Sequence, residues 1–356
     1  MSKFFKNLFG RQISHGSDNE KPEDLAQALD ELTIQRQFSY DDEEEVQQME
    51  VGGLPNVAGA MGGQTPGSSE MKAAYNLGNL LVRERLKAED PENEKLLADV
   101  TDSDIIVVSG TYDHIHLVLE AVGIPFKSVG RPQVAKLDLR PEQTVYVNCP
   151  DDFPVEGAKR LERFVAEGGQ LITTDWALKN VLEVAFPQTV AFNGNSTGDD
   201  VVSIEIADKD DDILKGFIDQ RKDAKPQWWL ECASYPIKVL DKKKVKVLVR
   251  SQELGKRYKD DPVIISFEWG KGIVYHMISH FYLQRTETRS QRHMGSITDY
   301  AEDQMMSSNV KDQFAQAQMK TPALNYAQVQ CASTSAEFVS RSVLGHKKRS
   351  KAYSKS

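Results

Sequence analysis

The chain has 356 residues, with 53 acidic and 44 basic side chains and a formal net charge of −9. This balance excludes a general nucleic-acid binder, which needs a basic face to neutralise phosphates. The three cysteines, Cys149, Cys232 and Cys331, are odd in number and far apart, so they indicate neither a disulfide framework nor a zinc knuckle. No apolar run approaches the roughly 20 residues of a membrane-spanning helix, and the N-terminus has no apolar signal region. A cytoplasmic protein is expected.

Residues 1–12 predict a short amphipathic segment. In a helix, four apolar side chains would share one face with lysines and an arginine around it: Phe4, Phe5, Leu8 and Phe9. Such a segment suits a peripheral membrane contact or a groove on a protein partner. The alternative is a disordered end without a role.

The composition divides the rest of the chain into four parts. Residues 13–69, with the acidic run at 41–45 and many glycines and prolines, predict a disordered linker. Leucines and alanines at helical spacing predict a helical lead-in over 70–99. Residues 100–285 carry the apolar runs of a globular domain. Residues 286–356 show no clear apolar stripe and predict a mostly disordered tail with a basic end, which is either solvated or in contact with lipid, nucleic acid or the acidic run.

Within the domain, apolar strand runs alternate with helical patterns in the first half. Examples are the run 104–108, the run 144–148 and the run 170–174, the last entered through Gly168-Gly169. This βαβα rhythm predicts a mostly parallel sheet covered on both faces. The runs 201–206, 237–240, 245–249 and 263–267 have few helices between them and predict antiparallel strands that extend one edge, ending in the run 273–278.

Two of these runs end in polar residues. Asp175 follows Gln170–Thr174, and His280 follows the Trp269-Gly-Lys-Gly-Ile-Val-Tyr-His segment. An open α/β sheet places its ligand groups at the carboxyl ends of its strands. We therefore expect Asp175 and His280 at one functional edge.

The Gly168-Gly169 turn before Leu-Ile-Thr-Thr-Asp, together with the Trp-Gly-Lys-Gly-Ile-Val-Tyr-His ending, resembles the class I glutamine amidotransferase-like superfamily. Within it, residues 102–284 are most similar to the ThuA-type group and to the noncatalytic domains of gliding-motility and intraflagellar-transport proteins. The resemblance implies an α/β, flavodoxin-like three-layer sandwich with a mostly parallel sheet and an antiparallel extension. The disordered arms predicted above would flank it.

The chain departs from the catalytic members of that superfamily at the nucleophile. Those members place a cysteine in a strained strand-to-helix elbow between small residues. Here the position falls at Asp175 or beside it, flanked by Thr173, Thr174 and Trp176, and these bulky neighbours argue against a strained turn. The expectation is therefore a noncatalytic binding or assembly module without a cofactor. The alternative is a ThuA-like enzyme, or a metal-binding or sugar-related ligand-binding protein, that uses a His/Asp cluster.

The candidate ligand-binding residues are those expected near the carboxyl edge: Thr111, Asp113, His114, Asp175, Trp176 and His280. Imidazoles and a carboxylate are ligands for zinc or iron, so a secondary hypothesis is a metal site built from His114, His116, His276 and His280. Ordinary hydrogen bonding by these histidines is the favoured interpretation, and no metal is expected. Cys149 has no basic neighbour in sequence and is interpreted as a buried structural thiol.

The expected partner is a protein. Residues 1–12 would provide any peripheral membrane contact, no specific nucleic acid is expected, and a homo-oligomer is a further option.

Overall fold

The computed structural model describes residues 69–216, 226–280 and 291–353. The predictions for residues 1–12, including the apolar face with Phe4 and Phe9, and for the linker up to 68 lie outside the described residues. The described chain begins with helices α1 (Ser69–Glu89) and α2 (Glu92–Ala98), in the stretch where a helical lead-in is expected.

The elements of the domain follow in chain order. The first half contains β1 (Ile105–Val108), α3 (Ile115–Val122), β2 (Lys127–Val129), β3 (Thr144–Val147), α4 (Val155–Glu167), β4 (Gln170–Thr174), a π-helical segment (Leu178–Leu182) that continues into α5 (Glu183–Ala185), and β5 (Val190–Phe192). The second half contains β6 (Asp200–Ser203), β7 (Glu205–Ile206), β8 (Gln227–Leu230), β9 (Ile237–Val239), β10 (Lys246–Arg250), α6 (Gln252–Tyr258), β11 (Pro262–Trp269) and β12 (Gly272–Met277). Helices α7 (Ile297–Asp303), α8 (Ser308–Lys320) and α9 (Tyr326–Tyr353) complete it.

Eight strands form one mixed sheet in the order β2-β1-β3-β4-β12-β11-β10-β7. The first five are parallel to one another, and β11, β10 and β7 continue the sheet in antiparallel fashion. This is the mostly parallel α/β sheet with an antiparallel extension that the sequence predicts. The carboxyl ends of β3, β4 and β12, which are adjacent, meet at the same edge.

Both faces of the sheet are buried, as continuous apolar strands require. Ile105 and Val107 of β1 pack in the core with α1, α3 and α9, whereas Ile106 and Val108 pack in a second core with α4. The alternation follows from the period of two along a strand. Helices, sheet and helices therefore form three layers.

Two of the expected edge strands, β6 and β9, lie outside the main sheet. Strand β6 pairs with β8, and β5 pairs with β9, each in a separate two-stranded antiparallel sheet. Only β7, β10 and β11 extend the main sheet, while β12 lies between the parallel and antiparallel parts. The expectation that all these runs extend one edge is wrong, because alternation identifies a strand but not its partner.

The tail is the largest difference from the sequence prediction. The described part of residues 286–356 is not mostly disordered but folds into α7, α8 and α9, and α9 packs along α1. Residues 335–344 of α9 are all buried, including Glu337 and Arg341. A helix buried on every side has no polar face, so it shows no amphipathic period in sequence.

The basic end of the tail contacts acids of the domain itself. Lys347 Nζ lies 3.1 Å from Asp104 Oδ2, and Lys348 Nζ lies 3.3 Å from Asp90 Oδ2. These two cations are therefore engaged within the fold. No helix in the described ranges combines the length and apolarity needed to cross a membrane.

Candidate functional site

Asp175 occupies a sharp turn between β4 and the helical segment that follows it. Its φ is +42°, in the left-handed region that non-glycine residues rarely adopt. The sequence prediction that bulky neighbours prevent a strained turn here is wrong. The indole of Trp176 is turned aside, with Nε1 donating to Ala233 O at 2.8 Å, so its bulk does not occupy the turn.

The carboxylate of Asp175 is buried and held by a loop that follows β8. Ser234 Oγ donates to Oδ2 at 2.7 Å, and the Tyr235 N–H donates to Oδ1 at 2.8 Å. Burial raises the pKa of Asp175 to about 6, although His280 and these two hydrogen bonds favour the charged form. Both oxygens therefore have partners.

His280 lies three residues beyond β12, next to Asp175. Its Nδ1 contacts Glu231 Oε2, and its Nε2 lies 3.8 Å from Asp175 Oδ2. Burial lowers the pKa of His280, but the Glu231 carboxylate and Cys149 outweigh that effect and raise it above its usual value. Because Glu231 lies at one nitrogen, the other is directed at Asp175 and Cys149.

Cys149 follows the end of β3 and lies next to Asp175 and His280. The Thr111 N–H donates to its carbonyl oxygen at 2.9 Å, and a Cβ on Gly110 would lie 2.7 Å from that oxygen. A glycine is thus required for the loop after β1 to approach so closely. Burial raises the pKa of the Cys149 thiol to about 11, against the opposing effect of His280.

Backbone strain is concentrated around these side chains. Six non-glycine residues in the described ranges have positive φ, and Asp175, Ala233 and Ser279 are three of them. Such conformations cost of order 1–3 kcal/mol each and persist where the surroundings hold them, commonly at functional sites. The strain therefore marks this edge of the sheet as a candidate site.

The other predicted ligand-binding residues surround the cluster rather than entering it. Asp113 Oδ2 accepts from Thr174 Oγ1 at 2.8 Å, and Thr111 Oγ1 donates to Asp151 at 2.8 Å. The rings of His114 and His116 contact each other edge to face, with centroids 5.6 Å apart.

The four histidines of the secondary metal hypothesis do not come together. His276 is buried within the sheet, with Nδ1 2.8 Å from Thr173 Oγ1. The extended run ends at Met277, and the left-handed Ser279 redirects the chain, so His276 and His280 do not share a face. Among the described residues, the group whose ligand atoms all lie within 4.8 Å of one another is Cys149, Asp175 and His280.

Sequence reasoning missed two of the side chains that complete the site. Glu231 and Ser234 lie in the loop after β8, which reaches Asp175 and His280 only through tertiary folding. Neither position carries a local signal, since the run 227–230 before Glu231 is not among the strands that the sequence predicts. Cys149 was correctly interpreted as a buried thiol, but its proximity to Asp175 and His280 was not foreseen.

A row of aromatic rings lies beside the strained turn. Trp176 contacts Tyr112 edge to face at 5.1 Å and stacks on Tyr235 at 5.6 Å, and Tyr235 stacks on Phe192 at 4.0 Å. These rings are partly exposed, so the row forms a surface next to the buried polar cluster.

Comparison with known proteins gives only distant likenesses. No family model and no curated protein matches the sequence. Among solved structures, a cytoplasmic protein of Salmonella typhimurium is 11% identical, with a TM-score of 0.36 over 52% of this chain and 91% of its own. A putative ThuA-like protein of Bacteroides uniformis is 12% identical, with a TM-score of 0.35 over 50% of this chain and 82% of its own.

An exo-β-1,4-mannosidase of an Opitutaceae bacterium is 11% identical, with a TM-score of 0.35 over 63% of this chain and 37% of its own. Likenesses this distant identify neither a family nor an activity.

Proposed function

We propose that this protein is a noncatalytic, amidotransferase-like binding and assembly module. The observation that carries the proposal is the hydrogen bonding of the Asp175 carboxylate. It occupies the strand-to-helix turn where a nucleophile would stand, yet Ser234 and Tyr235 hold its two oxygens. A carboxylate fixed in this way organises the loop around it.

Cys149 does not replace the missing nucleophile. A thiolate is the reactive form of cysteine, and with a pKa of about 11 only about one thiol in 10⁴ is ionised at pH 7. The side chain is also buried. The cluster therefore lacks an activated sulfur as well as a free carboxylate.

The aromatic row of Tyr112, Trp176, Tyr235 and Phe192 supports a binding role. Tryptophan and tyrosine are enriched in interfaces because they contribute large contact areas. Trp176 joins this surface to the polar cluster, since it follows Asp175 directly and donates to the Ala233 carbonyl. A small ligand or a protein segment would be recognised there.

Turnover assays test the noncatalytic character. We expect the full-length protein to hydrolyse glutamine, a p-nitroanilide and a p-nitrophenyl ester no faster than its Asp175→Ala and Cys149→Ala variants. Turnover that disappears in either variant, while circular dichroism shows the fold intact, would overturn the proposal.

A binding assay tests the aromatic surface. Native mass spectrometry of the gently purified full chain should show a small-molecule adduct or a co-purifying protein that Trp176→Leu loses. Trp269→Leu is the matched control, because Trp269 lies at the far end of β11 and donates to Glu162. Equal loss in both variants, or in neither, would contradict recognition through Trp176.

Residues 1–12 provide the proposed recruiting segment. Deleting them should release the protein from its partner or membrane while leaving the domain folded. Unchanged localisation and partner binding would remove this part of the proposal.

An enzyme is the second candidate, and the strained Asp175 turn favours it. A carboxylate in such a turn can act as a nucleophile, and the neighbouring imidazole, backed by Glu231, can act as a general acid or base toward a substrate or water. The turnover assays above distinguish the two candidates.

A further inference from the structure

Three different ligand types converge at the carboxyl edge of the sheet. Cys149, Asp175 and His280 follow the neighbouring strands β3, β4 and β12, and their sulfur, oxygen and nitrogen atoms all lie within 4.8 Å of one another. Each comes from a separate segment, so the sheet itself sets their spacing.

The imidazole of His280 is oriented for this cluster. Glu231 lies against Nδ1, which directs Nε2 toward Cys149 and Asp175. The His280 side chain is only 4% exposed, and it interacts with the Cys149 thiol and with Asp175 inside the cluster. A carboxylate behind a histidine is the usual outer support of a metal ligand, since it fixes the ring and its tautomer.

We propose that Cys149, Asp175 and His280 bind one zinc-class divalent cation, with Glu231 as the positioning residue for the imidazole. Metal bonds of 2.0–2.3 Å place tetrahedral ligands about 3.3–3.8 Å apart. His280 Nε2 and Asp175 Oδ2 lie 3.8 Å apart, a few tenths of an ångström wider than a bound nitrogen–oxygen pair. The thiol lies within 4.8 Å of both atoms, so small side-chain movements would bring the three ligands to tetrahedral spacing.

The donor set selects the class of metal. A thiolate and an imidazole suit zinc and its neighbours, whereas magnesium and calcium prefer oxygen ligands. A thiolate and a carboxylate also balance the two positive charges of the ion, and the Nδ1–H of a metal-bound His280 would donate to the Glu231 carboxylate. The fourth position would hold water or a ligand atom.

This inference goes beyond the proposed function and stands whether or not the chain is catalytic. If the metal site is wrong, the protein will bind no metal. If the noncatalytic function is wrong, the protein will show turnover. The two are therefore distinguishable.

The test is a zinc titration of the full-length protein after chelator treatment, with metal content measured by mass spectrometry. We expect one zinc per chain in the wild type and in Cys232→Ser, a control that removes an exposed cysteine outside the cluster. Cys149→Ser and His280→Gln should lose the metal, and Glu231→Gln should weaken its binding 10–100-fold. Asp175→Asn, which keeps the size of the side chain, should also lose it.

Cobalt substitution gives an independent readout of the ligands. A sulfur-to-cobalt charge-transfer band should appear in the wild type and in Cys232→Ser and be absent in Cys149→Ser, with circular dichroism confirming that each variant is folded. A wild type that binds no zinc would overturn the proposal, as would a folded Cys149→Ser variant that binds zinc with wild-type affinity.

Discussion

At the scale of single residues, the candidate site depends on hydrogen bonds that hold a buried carboxylate. Ser234 is fully buried and donates to Asp175 Oδ2. Ser340 in α9 is equally buried, but its Oγ has no hydrogen-bond partner among the described residues. The buried hydroxyl therefore stabilises the fold at position 234, whereas at position 340 it is buried without a compensating hydrogen bond.

Replacing each of these serines by alanine should change the free energy of unfolding differently. At pH 8, above the pKa of about 6 of Asp175, Ser234→Ala should lower the free energy of unfolding by about 1.5–3 kcal/mol, because it removes a hydrogen bond to a charged group. Ser340→Ala should be neutral or stabilising. Urea denaturation measures both, and equal effects would contradict the assigned hydrogen bond.

At the scale of elements, the α1–α9 contact explains the folded tail. A Cβ added to Gly78 of α1 would lie 2.8 Å from the backbone nitrogen of Ser333 in α9. The two helices approach closely because small residues face each other there. Two buried charges of α9 pair with partly exposed charges of α1 across this contact: Glu337 lies 2.9 Å from Arg85, and Arg341 binds Glu89.

Two glycine-to-alanine substitutions in these helices should have opposite signs. Gly78→Ala should lower the free energy of unfolding by about 1–3 kcal/mol, because the added methyl group overpacks the helix contact. Gly345→Ala in α9 has no atom within 4 Å of its new Cβ, so helix propensity should raise stability by up to about 1 kcal/mol. Thermal unfolding of both variants measures the difference, and shifts in the same direction would contradict the packing described.

At the scale of the whole molecule, buried histidines make the fold sensitive to acid. His346 packs near Pro141, with Nε2 3.0 Å from its carbonyl oxygen. Burial and the nearby Arg349 lower the pKa of His346 to about 4. Between pH 6.5 and 4 the unfolded chain thus binds a proton that the folded chain does not, and stability falls as the pH falls.

His346→Asn should remove this contribution. The wild type should lose up to about 1.36 kcal/mol more per pH unit than the variant across that window. Urea denaturation at several pH values measures both slopes. His276, whose pKa burial lowers to about 3, is present in both proteins and cancels in the difference. Parallel slopes would show that His346 is not buried neutral.

The sequence predicts the parts of this molecule that follow from local pattern. β1 is a continuous apolar run, β4 and β12 are short buried runs entered through glycine turns, and Asp175 and His280 are identified because they follow strand ends. Glu231 and Ser234 reach the site only by tertiary contact, so no local pattern reveals them. Helix α9 escapes prediction because residues 335–344 are buried on all sides and include charges.

The reactivity of the cysteines tests most directly the claim that the site holds no activated thiol, on which the noncatalytic account depends, because the test requires no knowledge of the substrate. The metal-stripped full-length protein is exposed briefly to iodoacetamide at pH 7, and peptide mapping measures labelling of each cysteine. The account predicts rapid labelling of the exposed Cys232 and almost none of Cys149, which is buried and has a pKa of about 11. Labelling of Cys149 ahead of Cys232 in the folded protein would reveal an activated nucleophile and contradict the noncatalytic account.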